Sequence, residues 1–155
     1  MLRAVFFMRA KKVEPYLDYY GTATALSVAR NGLAGASVGD YALFGGGFTG
    51  SHSSVVDAYN TSLTRSTPTE LSVARNVLAG ASVGDYALFG GGFTGSRSNV
   101  VDAYNTSLTS STPTELSVAR SNLAGASVGD YALFGGGISG PGSYSNVVDV
   151  YEYHS

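Results

Sequence analysis

Apolar and polar positions alternate with a period of two over short stretches, and turn residues interrupt every stretch, so the pattern predicts strands and no helix. From Leu33 the chain reads Leu33-Ala34-Gly35-Ala36-Ser37-Val38, a first strand of small side chains suited to the crowded inner positions around a central axis. Gly39-Asp40 follows as a two-residue hairpin turn of the type that takes glycine first. The second strand, Tyr41-Ala42-Leu43-Phe44, is apolar on both faces, as a sheet sandwiched between two others requires, and stops at Gly45-Gly46-Gly47. A loop from Phe48 to Ser54 leads to a third strand, Val55 to Tyr59. A turn at Asn60-Thr61-Ser62 then sends the chain back as a shorter, more polar fourth strand ending near Pro68, which fits an outer edge.

The same unit returns. The segment Leu26 to Arg30 recurs at Leu71 to Arg75 and at Leu116 to Arg120, a period of 45 residues. The first two copies are identical at 41 of 45 positions and differ only at Gly32/Val77, His52/Arg97, Ser54/Asn99 and Arg65/Ser110. The chain divides into a partial unit at 1–25 (strands two to four), whole units at 26–70 and 71–115, and a partial unit at 116–155 (strands one to three). The N-terminal fragment is phased by Ala4 to Phe7 as second strand and by Val13 to Tyr16, which aligns with Val56 to Tyr59, as third. Val147 to Tyr151 is a third strand with no fourth after it.

Composition adds limits. Charged residues are 13% of the chain and the net charge is -2, so the basic field that nucleic acid demands is missing. Four of the nine basic residues, Arg3, Arg9, Lys11 and Lys12, lie at the N-terminus, which leaves the repeated body mildly acidic. With no cysteine, disulfides, thiolate metal sites and a cysteine nucleophile are excluded. The opening apolar run between Arg3 and Arg9 is too short for a signal-peptide core or a membrane span, so neither is expected.

A tyrosine-led strand ending in a glycine doublet, a variable loop, a Val-Asp-x-Tyr strand and an arginine-bearing loop together resemble the kelch repeat. Gly45-Gly46, Gly90-Gly91 and Gly135-Gly136 stand at the doublet, Tyr59, Tyr104 and Tyr151 at the third-strand aromatic, and Arg30, Arg75 and Arg120 at the loop arginine. The tryptophan usual in the fourth strand is absent, with Leu63 and Leu108 nearest its place, and the period falls slightly below the roughly 50 residues of kelch. The resemblance covers roughly nine tenths of the chain. It implies an all-β fold of four-stranded antiparallel blades, here an incomplete β-propeller of two whole and two partial blades.

Propellers close with typically four to eight blades. An open end leaving about 600 Å² of apolar sheet in water would forfeit about 15 kcal/mol, comparable to the stability of a whole domain. Closure is therefore expected either from further blades of a longer chain or from a homodimer. The first is favoured, because second and third strands at both termini would be redundant in a swapped ring.

Antiparallel order brings the loop after the second strand and the connection into the next blade to one face. Most differences among copies map there: Asn31/Asn76/Ser121, Gly32/Val77/Asn122, His52/Arg97, Ser54/Asn99 and the enlarged loop Ile138 to Asn146. Loops that vary on a constant frame are how binding specificity is built, although loops also drift freely. Arg30, Arg75, Arg120, Phe48, His52, Phe93, Arg97 and Tyr144 are the candidate ligand-binding residues, for a protein or glycan partner. The three arginines carry two readings: ringing the mouth of the channel to attract an acidic peptide or sugar, or hydrogen bonding to blade carbonyls.

No catalytic set is visible. Gly45-x-Gly47-x-x-Gly50 and its two copies fit a dinucleotide fingerprint, but no helix is expected after them to receive a pyrophosphate. Asn60-Thr61-Ser62 and Asn105-Thr106-Ser107 match the glycosylation sequon and read more simply as hairpin turns. The aspartates Asp40, Asp85, Asp130 and Asp57, Asp102, Asp149 repeat once per blade, whereas acid-base catalysis needs two unlike carboxylates in one pocket. Kelch-type copper oxidases need a cysteine and several histidines, and only His52 and His154 are present. The sialidase-like Ser-x-Asp-x-Gly-x-Thr-Trp box is also missing. The expected function is a non-catalytic binding scaffold without metal or cofactor, the alternative being a structural repeat array within a larger surface or fibre protein.

Overall fold

The structure is a computed structural model that describes residues 14–155. Among these residues every regular element is a strand, and none is a helix long and apolar enough to cross a membrane. Four strands, β1 (Ala34–Val38), β2 (Tyr41–Gly45), β3 (Val56–Tyr59) and β4 (Arg65–Ser66), form one antiparallel sheet in sequence order. The sheet repeats as β5 (Ala79–Val83), β6 (Tyr86–Gly90), β7 (Val101–Tyr104) and β8 (Ser110–Ser111). A third sheet has three strands, β9 (Ala124–Val128), β10 (Tyr131–Gly135) and β13 (Val148–Glu152). The enlarged third loop folds into its own hairpin, β11 (Ile138–Gly140) with β12 (Ser143–Tyr144), an element the period-two pattern did not reveal. The protein is thus an all-β partial propeller.

Local chemistry explains the turns. At Gly39-Asp40 only the glycine has positive φ, at 52°, the signature of a turn with glycine in its first central position. After β3, Asn60 Oδ1 accepts from the amides of Ser62 and Thr64, each at 3.0 Å, and Asn105 does the same in the next blade. That turn drives Leu63 and Leu108 to φ of 60° and 61°, uncommon for a branched side chain. Leu108 recovers by packing against the core between the first two blades.

The core lies between sheets. One cluster joins Val38, Leu43, Val56 and Ala58 of the first blade to Leu78, Ala87, Phe89 and Tyr104 of the second. A second cluster repeats this with Ala81, Val83, Leu88 and Val101 against Leu123, Ala132 and Phe134. Each phenylalanine presses onto a glycine of the preceding blade: a Cβ at Gly45 would stand 3.2 Å from the Phe89 ring, and one at Gly90 3.1 Å from the Phe134 ring. The inner strands approach still closer. A Cβ on Gly80 would collide with the Gly35 carbonyl oxygen, and one on Gly125 with that of Gly80. The predicted small residues of the first strand are needed here because backbone meets backbone.

The third strand expected at Val13 to Tyr16 is not formed at Glu14, Pro15 and Tyr16, which carry no regular structure, while Val13 and the second strand expected at Ala4 to Phe7 lie outside the described residues. Residues 14–23 have no ladder partner, Pro15 has no amide to donate, and Tyr16, Leu17, Tyr19 and Tyr20 are exposed.

Candidate functional site

The face predicted to gather the variable loops exists. Phe48 pairs with Asn31, Phe93 with Asn76 and Ile138 with Ser121, so each loop after a second strand meets the connection that opens its own blade. The glycine stretch holds this geometry: Gly46 and Gly47 have φ of 73° and 116°, and the Gly47 amide donates to the Arg75 carbonyl of the next blade at 2.9 Å. Gly91 and Gly92 repeat the arrangement against Arg120. Gly136 also has positive φ, and its amide donates to the Val147 carbonyl at 3.0 Å.

The three arginines turn inward rather than towards the channel mouth. Arg75 is fully buried, and its guanidinium donates to the carbonyls of Gly91, Val73 and Phe89 at 2.7–3.1 Å and to Asp102 Oδ2 at 2.8 Å. Arg30 makes the same set with Gly46, Val28, Phe44 and Asp57, while Arg120 donates to the carbonyls of Gly136, Phe134 and Val147 and to Asp149. The hydrogen-bonding reading describes where these groups are: each guanidinium donates to carbonyls and to the aspartate of its own blade, although Arg120 Nε is buried without a partner. The sequence presents the third-strand aspartate only as a once-per-blade repeat, and the structure adds its pairing with the loop arginine. Its signal was spacing: 27 residues separate Arg30 from Asp57 and Arg75 from Asp102, and 29 separate Arg120 from Asp149 across the longer loop.

Electrostatics follow from this enclosure. Burial pushes the Asp57 carboxyl up, but hydrogen bonds from Arg30 and Ser27 outweigh it and hold the group below its ordinary value of 3.8. Burial, reinforced by the Asp149 charge, pushes the Tyr151 phenol up to about 12. Its hydroxyl donates to the Thr114 carbonyl at 2.6 Å, as Tyr59 and Tyr104 donate to Thr24 and Thr69.

The other candidates do converge. The rings of Phe48 and His52 stand 5.5 Å apart, His52 reaches across the blade boundary to Phe93 at 5.8 Å, and the Arg97 guanidinium sits 5.9 Å from the Phe93 ring centre. Phe48, His52, Phe93 and Arg97 thus form a row that alternates constant phenylalanines with the one loop position occupied by histidine in one blade and arginine in the next. His52 Nδ1 and Arg97 Nε are buried without a hydrogen-bond partner. In the third blade Ile138 replaces the phenylalanine, and Tyr144, on β12, projects into solvent. Position Gly32/Val77/Asn122 has a structural role in its backbone. All three residues have positive φ, and the amides of Val77 and Asn122 donate to the carbonyls of Gly32 and Val77, so the position links blades. No family model and no curated protein matches this sequence.

Proposed function

We propose that this chain is a non-catalytic binding scaffold of kelch-like repeats that recognises a protein or glycan through the loop face. The observation that carries this reading is the row Phe48, His52, Phe93 and Arg97, built from two blades and continuous across their boundary. Aromatic faces offer stacking surface to a sugar ring or an aromatic side chain, and Arg97 offers a charged donor to a carboxylate or sulfate. Tyr144, paired with Ile138 on the corresponding loop of the third blade, offers a further exposed ring. The preferred ligand is therefore one with a flat apolar face and an acidic group.

The test is a screen of a glycan array and an acidic-peptide library, followed by titration of the hits against Phe93→Ala, Arg97→Glu and Tyr144→Ala. Each substitution is expected to weaken binding tenfold or more while leaving the melting temperature within about 2 °C, since these groups stand outside the inter-blade core. Absence of any ligand in both screens, or hits indifferent to all three substitutions, would refute the reading.

A further inference from the structure

We propose that a second copy of this chain docks head to tail on this one, seating the Phe44 face of its first blade against the Gly135 face of the third blade. The same contact already occurs twice within the chain. Between the first and second blades Gly47 donates to the Arg75 carbonyl, Leu71 to that of Ser54, Arg75 to that of Ser53 and Val77 to that of Gly32. Between the second and third, Gly92, Leu116, Arg120 and Asn122 donate to Arg120, Asn99, Ser98 and Val77 in the same order.

Among the described residues, the first and the third blade each carry one half of a third such contact. Phe44 is 38% exposed while its counterparts Phe89 and Phe134 are wholly buried. It borders a hollow of ≈ 740 Å³ lined also by Leu26, Leu33, Tyr59 and Leu63. At the other end, a Cβ on Gly135 would meet only a Val148 methyl at 3.5 Å, where Gly45 and Gly90 each receive a phenylalanine ring. Around this empty socket Val128 is 66% exposed against 6% for Val83, and Val148 and Val150 are 54% exposed. A ring without a socket and a socket without a ring, cut from the same repeated contact, are complementary.

The edge strands agree. The third sheet lacks the fourth strand that β4 and β8 supply to the others. Tyr20 and Gly21 stand one 45-residue period before Arg65 and Ser66, the residues of β4, and Tyr20 is exposed and unpaired. In a head-to-tail pair the second copy's Tyr20 would lie beside Tyr151, as Arg65 lies beside Tyr59. Heterologous contacts either close or polymerise, and two copies of three blades give six, within the usual range for closure.

Light scattering and sedimentation of the 155-residue chain are expected to give twice 15.9 kDa. Phe44→Asp and Gly135→Leu are each expected to halve that mass with unchanged circular dichroism, because both sites face open space in the single chain. An equimolar mixture of the two variants retains one intact ring and one intact socket, so the double mass should reappear in the mixture. A folded wild-type monomer would overturn the proposal and leave further blades of a longer chain as the occupant. Dimers unaffected by both substitutions would overturn it too, and masses that grow with concentration would overturn the closed pair.

Discussion

Removing the guanidinium of Arg75 strands a buried charge, the carboxylate of Asp102. In Arg75→Met the Asp102 carboxylate, 2% exposed, keeps only the Ser72 amide at 3.1 Å, and the carbonyls of Phe89 and Gly91 lose their donors. Breaking a buried pair on one side costs about 3–5 kcal/mol, and the space vacated by the head group admits water to the carbonyls, so about 4 kcal/mol is expected. For a chain of this length that corresponds to a fall in melting temperature of roughly 8–16 °C. Arg120→Met should cost only about half as much, because the side chain of its partner Asp149 is 17% exposed and can rehydrate. The double variant Arg75→Met/Asp102→Leu removes the stranded charge and should recover about 2 kcal/mol relative to the single one. Chemical denaturation followed by tyrosine fluorescence measures all three. A cost below about 1 kcal/mol for Arg75→Met, or a double variant no more stable than the single, would show that the arginine is not a structural tie.

Further outcomes follow from other contacts. Gly140→Ala should be nearly neutral, since its Cβ would meet only the Ser143 side chain at 3.8 Å, whereas Gly80→Ala drives a methyl into the Gly35 carbonyl and should cost more than about 3 kcal/mol in a thermal melt; equal costs would refute the close inner stack. Val77 holds φ at 48°, a strained value for a β-branched residue, so Val77→Gly should raise stability by about 1 kcal/mol in denaturant titration, and a loss would refute the assigned strain. Because the Asp57 carboxyl is held below 3.8 in the folded chain, its charged form stabilises the fold above that pH, and this contribution drains away as pH falls below about 4. Melting curves from pH 6 to 2 should therefore decline more steeply for the wild type than for Asp57→Asn, and parallel curves would contradict this.

The strand pattern was legible because each element carries its own punctuation: Gly39-Asp40 and Asn60-Thr61-Ser62 each specify a turn from three or fewer residues. The sheet order followed from four such segments in succession. What the pattern could not convey was direction of side chains at long range. For Arg75 the sequence left two readings, a channel-mouth cation or a donor to blade carbonyls, and neither includes the carboxylate of Asp102 that is brought to it from 27 residues away. The variation at Gly32/Val77/Asn122 carried two readings, specificity or drift; the backbone there is left-handed in all three copies, which Gly32 and Asn122 favour but Val77 conceals. The hairpin β11–β12 escaped notice because its short strands are bent by a register shift between Ile138 and Gly140. The third strand expected at 13–16 is not formed at Glu14 to Tyr16, where Pro15 has no amide to give to a ladder.

Side-chain thickness is distributed unevenly across each blade: hydrogen atoms of glycine separate the inner strands at Gly35, Gly80 and Gly125, while Phe89, Tyr104 and Leu108 separate the strands farther out. Each sheet is thereby a wedge, and the taper sets the angle through which one wedge is turned against the next. Bulk added at the narrow side would flatten that angle and enlarge the circle the wedges describe, while bulk removed from the broad side would do the same. The curvature of any assembly built from this chain is thus governed by three positions that bear no side chain at all.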